Sequence, residues 1–99
     1  MRKGYDYQPG RFRGGVPPGT MPENQFWLLA EISPLHSEKV IHALRDYLVD
    51  GYTRAEVCER HGVSQGYFSV SLKRFHNVHQ TVYRLLPFYR SAGGYGIHE

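Results

Sequence analysis

Thr53-Arg-Ala-Glu-Val-Cys-Glu-Arg-His-Gly-Val-Ser-Gln-Gly-Tyr-Phe-Ser-Val-Ser-Leu-Lys-Arg-Phe75 reads as a short helix, a glycine turn and a second helix. Thr53 and Glu56 have the capping-box spacing, in which the hydroxyl and the carboxylate each satisfy the other residue's amide. Ala55, Val57 and Cys58 give the first helix small or apolar side chains. Gly62 stands where a left-handed residue ends a helix at low steric cost, and Val63 follows as the apolar anchor of the turn. Ser64 is placed to cap the second helix. Phe68, Leu72 and Phe75 recur at helical spacing and define its buried side. Gln65, Tyr67, Ser69, Ser71, Lys73 and Arg74 fill the other positions, uncharged hydrogen-bonding groups first and cations last. With Ser64, they suit a helix whose first turns meet bases or sugars and whose end meets phosphate.

A helix-turn-helix in a small basic chain most often docks on DNA. The same pattern also serves a helical hairpin whose only role is structural, so the motif alone leaves both readings open. Cys58 reads as a packing residue between the two helices, because a free cysteine behaves as a small buried hydrophobe. Gly66 is the odd residue. It costs roughly 0.5–1 kcal/mol relative to alanine inside a helix, less near an end. Either a DNA backbone or neighbouring helix comes too close for a Cβ, or the glycine is merely tolerated.

Working outward, residues 23–32 predict a helix with Phe26, Trp27, Leu28, Leu29, Ala30 and Ile32 on most of its sides. Such a helix needs cover on more than one side. A chain of 99 residues has a small core, so Phe26, Trp27, Leu28 and Leu29 are expected to meet a second copy. Ser33-Pro34 breaks this helix. Residues 37–49 predict the next, with Val40, Ile41, Leu44, Tyr47 and Leu48 as its apolar stripe and Asp50-Gly51 as its end. Residues 78–86 predict a last helical segment stopping before Pro87, either separate or continuous with the motif's second helix, since Asn77 permits both. Residues 1–20 hold five glycines and three prolines, the composition of a mobile arm, in which Arg11-Phe-Arg13 could reach phosphate or a narrow minor groove. Residues 91–99 read as a frayed tail. The expected architecture is all-α: a domain over residues 21–90 with four to five helices and the helix-turn-helix at 53–75, between a flexible arm and a flexible tail.

Net charge is +3, but it is unevenly spread. Residues 1–20 carry +3, residues 21–50 carry −3 and residues 51–90 carry +4. The acidic segment is expected to face a protein partner or solvent, and the basic ones an anion. One cysteine excludes an intrachain disulfide framework. No apolar run is long enough to span a membrane, and no apolar signal core follows the N-terminus. A reducing cytoplasm fits these features. His76-x-x-His79 could place two imidazoles on one helix face, but no further ligand pair accompanies them, and zinc sites need three or four. No metal, cofactor, small-molecule substrate or catalytic residue is expected. Cys58 lacks the exposed, electropositive setting of a nucleophile, and no glycine loop precedes a helix to cradle phosphate.

Phe26-Trp-Leu-Leu29, Ile32-Ser33, His36-Ser-Glu-Lys-Val-Ile41, Asp46-Tyr-Leu-Val49, Gly51-Tyr-Thr-Arg-Ala-Glu-Val-Cys58 and Gly66-Tyr-Phe-Ser69 together resemble the PapB/FaeB-type regulators of fimbrial adhesin operons in enterobacteria. The resemblance covers residues 18–90. It implies an all-helical, nucleoid-associated, DNA-binding protein of the bacterial cytoplasm that activates or represses pilus genes according to site occupancy. It also implies oligomers on A/T-rich double-stranded repeats, with contact from the minor-groove side. It assigns Arg54 to direct DNA contact and Cys58 to helix packing, and extends to Arg60 and Lys73. The usual geometry of a helix-turn-helix points instead to the major groove, so the groove stays open. The side chains offer few base readers, Gln65 first and then Ser64, Ser69 and Ser71, which fits shape recognition with cooperative neighbours. The alternative to a DNA-binding regulator is a non-enzymatic adaptor that uses the apolar first helix and the acidic second one.

Overall fold

A computed structural model describes residues 15–90. Residues 1–14, with the Arg11-Phe-Arg13 reading, and residues 91–99, with the tail reading, lie outside the described residues. The described chain is all-α, in the order α1 (Glu23–Ile32), α2 (Glu38–Arg45), a π-type turn (Asp46–Asp50), α3 (Arg54–His61) and α4 (Gln65–Arg90).

Each boundary has a local cause. At the end of α1 the Ser33 amide and hydroxyl both donate to the Ala30 carbonyl. Pro34 holds Ser33 in extended backbone, at φ −77° and ψ 160°. Ser37 caps α2, its hydroxyl oxygen accepting from the Val40 amide at 3.3 Å. The predicted helix at 37–49 is not one regular helix. After Arg45 it widens by a residue through Asp46–Asp50 and ends at Gly51, in left-handed backbone at φ 85°. The widened turn directs two carbonyls away from the helix, where other amides take them up: Gly19 donates to Tyr47 and Met21 to Leu48, each at 3.0 Å. Residues 15–20, read from composition as the end of a mobile arm, are thereby seated on the domain.

α4 is continuous through Asn77, whose carbonyl accepts the Thr81 hydroxyl at 3.0 Å. It also passes through Pro87 to Arg90, which corrects the expected stop at residue 86. Phe75, Val78 and Val82 continue the apolar stripe begun by Phe68 and Leu72, so packing favours continuity. The proline fixes φ in the helical range and removes one amide only in the last turn.

The core lies where α1, α2 and α3 meet the first half of α4. Phe26, Phe68, Phe75, Leu44, Leu48, Val40 and Val57 are fully buried. The rings of Phe26 and Phe75 stack with centroids 5.0 Å apart, and Tyr47 meets Phe68 edge-on at 5.4 Å. Such offset and edge contacts add about 0.5–1.5 kcal/mol each beyond burial. They tie α1 and the π-type turn after α2 to the helix that carries the candidate site.

Candidate nucleic-acid interface

The capping box of α3 forms as its spacing predicts. The Thr53 hydroxyl oxygen accepts from the Glu56 amide at 3.1 Å, and the Thr53 amide donates to the Glu56 carboxylate at 2.8 Å. The Thr53 amide and hydroxyl hold that carboxylate below its usual range. Gly62 is left-handed at φ 68°, ψ 40°, and Val63 turns inward while its amide donates to the Cys58 carbonyl at 2.9 Å. Ser64 then caps α4, accepting from the Tyr67 amide at 3.1 Å. Cys58 is buried with its Sγ 4.0 Å from the Ser64 carbonyl oxygen. Burial pushes its thiol up, against a smaller opposing pull from Arg54, so it stays a neutral packing group where α3 crosses the start of α4. Cys58, Val63 and Phe68 are thus buried where the two helices meet, and Gly62 makes the turn between them.

On the outer side of α4, Gln65, Ser69 and Lys73 are exposed and follow one another at four-residue spacing. The Arg54 guanidinium joins this row from α3. It donates to the Ser69 hydroxyl at 2.8 Å and lies 5.3 Å from the Phe68 ring centre and 5.9 Å from that of Tyr47. An arginine held by an aromatic face and one hydrogen bond is already oriented, and its remaining N–H groups stay open for a planar acceptor. A second row, Tyr67, Val70 and Arg74, is exposed beside the first. The structure thus brings Arg54, Gln65, Tyr67, Ser69, Lys73 and Arg74 onto one continuous surface.

Two of the candidates, Ser71 and Arg60, stand elsewhere, and a third, Ser64, is occupied. Ser71 is 1% exposed; it lies between Phe68 and Phe75 on the packed side of α4 and cannot meet a ligand. Ser64 is exposed, but its hydroxyl oxygen is engaged in the cap. Arg60 projects from a different face of α3, 4.1 Å above the Tyr52 ring and 3.2 Å from the Asp46 carboxylate. It faces the end of α2 rather than α4. Two contributors escape a sequence reading: Tyr47, whose helical stripe marked it only as apolar core, and Val70, which the three-residue step from Tyr67 could have placed.

The self-association set divides as well. Phe26 and Leu29 are 0% and 4% exposed and belong to this chain's own core, whereas Leu28 is 66% exposed and Trp27 37%. Ile32 joins Leu28 four residues on and is also exposed. Nor do all the acidic side chains of residues 21–50 face outward. Arg45 gathers Glu23, Asp46 and Asp50 at 2.9, 2.9 and 2.6 Å. Hydrogen bonds from Arg45 and then from the Trp27 indole hold the Glu23 carboxyl at about 2. Asp46 is buried, which alone would raise its pKa. Hydrogen bonds from His61 at 2.8 Å, Arg45 and Arg60 outweigh that and hold it below the usual carboxylate range.

Among the described residues no group of three histidine, cysteine, aspartate or glutamate side chains could hold a metal ion, and no helix is long and apolar enough to cross a membrane.

Comparison with known proteins adds a family to this geometry. Residues 7–89 match the PapB family, described as adhesin biosynthesis transcription regulatory protein. The AFA-III adhesin operon regulatory protein of Escherichia coli is 61% identical over 99 residues, covering 100% of this chain and 98% of its own length. The F1845 adhesin operon regulatory protein of Escherichia coli is 70% identical over 81 residues, 82% of this chain and 95% of that one. The crystal structure of FocB from E. coli superposes with a TM-score of 0.71 at 46% identity, covering 75% of this chain and 84% of that one.

Proposed function

The chain belongs to the PapB family of adhesin biosynthesis transcription regulators, a non-enzymatic role, and from that premise we propose that it binds A/T-rich duplex DNA as an oligomer and so activates or represses fimbrial adhesin genes. The observation that carries this reading is the joined surface of α3 and α4, with Arg54, Lys73 and Arg74 around Gln65, Tyr67 and Ser69. Three cations at its edge suit phosphates, whereas only glutamine, serine and tyrosine are available for base edges. Weak base readout is compatible with selectivity drawn from groove shape and from neighbours bound alongside. The exposed part of α1, Trp27, Leu28 and Ile32, supplies an apolar contact for such neighbours. The site of action is then the bacterial nucleoid.

Fluorescence anisotropy on an A/T-rich duplex at several salt concentrations tests the reading. Three phosphate contacts per protomer give a slope of about −3 in log K against log salt. Absence of binding at low salt overturns it and favours a protein adaptor. Competition with a minor-groove ligand, set beside methylation of the major groove, determines which groove α4 and Arg54 approach.

A further inference from the structure

Residues 15–21 cross the domain as a strap with three anchors. Two are the Gly19 and Met21 amides on the widened turn after α2. There Gly19 and Gly51, both left-handed, approach so closely that a Cβ on Gly19 would fall 3.1 Å from the Gly51 Cα. The third anchor is His76 on α4. The Val16 amide donates to its Nε2 at 3.1 Å. Gly15, at φ +86°, sits so close to the ring that a Cβ there would overlap Cε1. The side chains of Val16 and Met21 pack on the core.

An imidazole nitrogen accepts a hydrogen bond only through its lone pair, so His76 is neutral in this arrangement with its proton on Nδ1. Adding a proton to Nε2 sets two N–H donors against each other and places a cation in a half-buried position. Strap residues 15–22 carry no titratable side chain. The titratable neighbour acting on the ring is His79, one turn along α4, and it too disfavours a charge there.

We propose that His76 is a proton-operated clasp, which seats the Gly15–Val16 end of the strap on α4 when neutral and releases that end when protonated. Burial first, and then His79, hold the imidazole below the usual histidine range. The closed strap is therefore complete above about pH 6.5 and loosens as pH falls toward the histidine's folded value. The other end of the strap lies against the support of the outer surface. Gly19 holds the Tyr47 carbonyl, and the Tyr47 ring packs on Phe68 and supports Arg54.

Nitrogen-15 NMR of the full chain tests the clasp. The neutral His76 ring should show the Nδ1–H tautomer. The protection of the Val16 amide, corrected for intrinsic exchange, should fall by about tenfold per pH unit below 6.5 until the folded His76 value is reached. In His76→Gln, whose side-chain oxygen can accept the same amide without titrating, that dependence should vanish while the bond survives. An Nε2–H tautomer in the wild-type chain overturns the proposal, and so does Val16 protection that stays constant while His76 titrates. Both readings come from the wild-type chain, so they hold even if the variant fails to fold.

Discussion

Gly66 separates the protein's own needs from those of its ligand. It is the second residue of α4, and a Cβ built on it meets nothing within 4 Å. Its backbone is not left-handed, so no conformational requirement for glycine exists there. Gly66→Ala should therefore stabilise the fold. The full helix-interior gain is about 0.5–1 kcal/mol, and the first turn should realise about 0.5. In a domain of this size that raises Tm by about 2–4 °C. DNA binding should move the other way. Gly66 stands between Gln65 and Tyr67, on the end of α4 that the proposed complex brings nearest the duplex. A methyl group forced into that contact costs about 1 kcal/mol, about fivefold in Kd. The substitution changes no charge, so the salt slope should be unaltered, which distinguishes a steric loss from a lost phosphate contact. Thermal unfolding and anisotropy titrations at two salt concentrations read all three quantities. Higher Tm with unchanged Kd refutes the close approach of DNA, and lower Tm refutes the open environment from which the stability gain follows.

Lys73→Ala should weaken binding to every duplex alike and reduce the salt slope by about 0.9, measured by the same titrations. Ser71→Ala should leave affinity unchanged, because the hydroxyl lies on the packed side of α4; a marked loss of binding with intact folding contradicts that placement. Leu28→Glu should keep thermal stability within about 0.5 kcal/mol while shifting the mass seen in sedimentation toward monomer, whereas Phe26→Ala should lose about 3–5 kcal/mol in denaturant unfolding. Asp46→Asn breaks the partly buried junction with Arg45, Arg60 and His61 and should cost about 3 kcal/mol at neutral pH. Because the folded Asp46 carboxyl titrates below its unfolded value, its contribution is complete above about pH 5 and is lost as pH falls through the folded value. The wild-type chain should lose stability over that acid range, and the variant should lose less.

Much of the motif follows from local rules. Thr53 and Glu56 cap α3 because both partners lie within one turn of each other. Gly62 ends it because the left-handed region is open to glycine, and Ser33-Pro34 ends α1 because proline restricts the residue before it. These effects involve neighbours in the chain and need no tertiary contact. Phe26 and Ser71 illustrate the opposite case. Phe26 belongs to an apolar run whose members look alike in sequence, and only the position of Phe75 decides that it faces inward while Leu28 faces out. Ser71 looks like its neighbours Ser69 and Ser64 until the register of α4 against α1 and α2 turns it into the core.

By itself the sequence determined the all-helical class, the capped pair of helices at 53–75, the burial of Cys58 and the adhesin-regulator family, because each rests on residues close in the chain or on a string of motifs. Only the tertiary structure decided which cations share a surface, that Arg54 rests on Tyr47 and Phe68 while Arg60 turns to Asp46, and that the Val16 amide meets His76. Those outcomes depend on segments that are distant in sequence. Val16 and His76 are 60 residues apart, and Arg54 and Ser69 are 15 apart. No local propensity carries a contact across such separations; it is set when helices seek cover for their apolar faces and the polar groups that remain find partners.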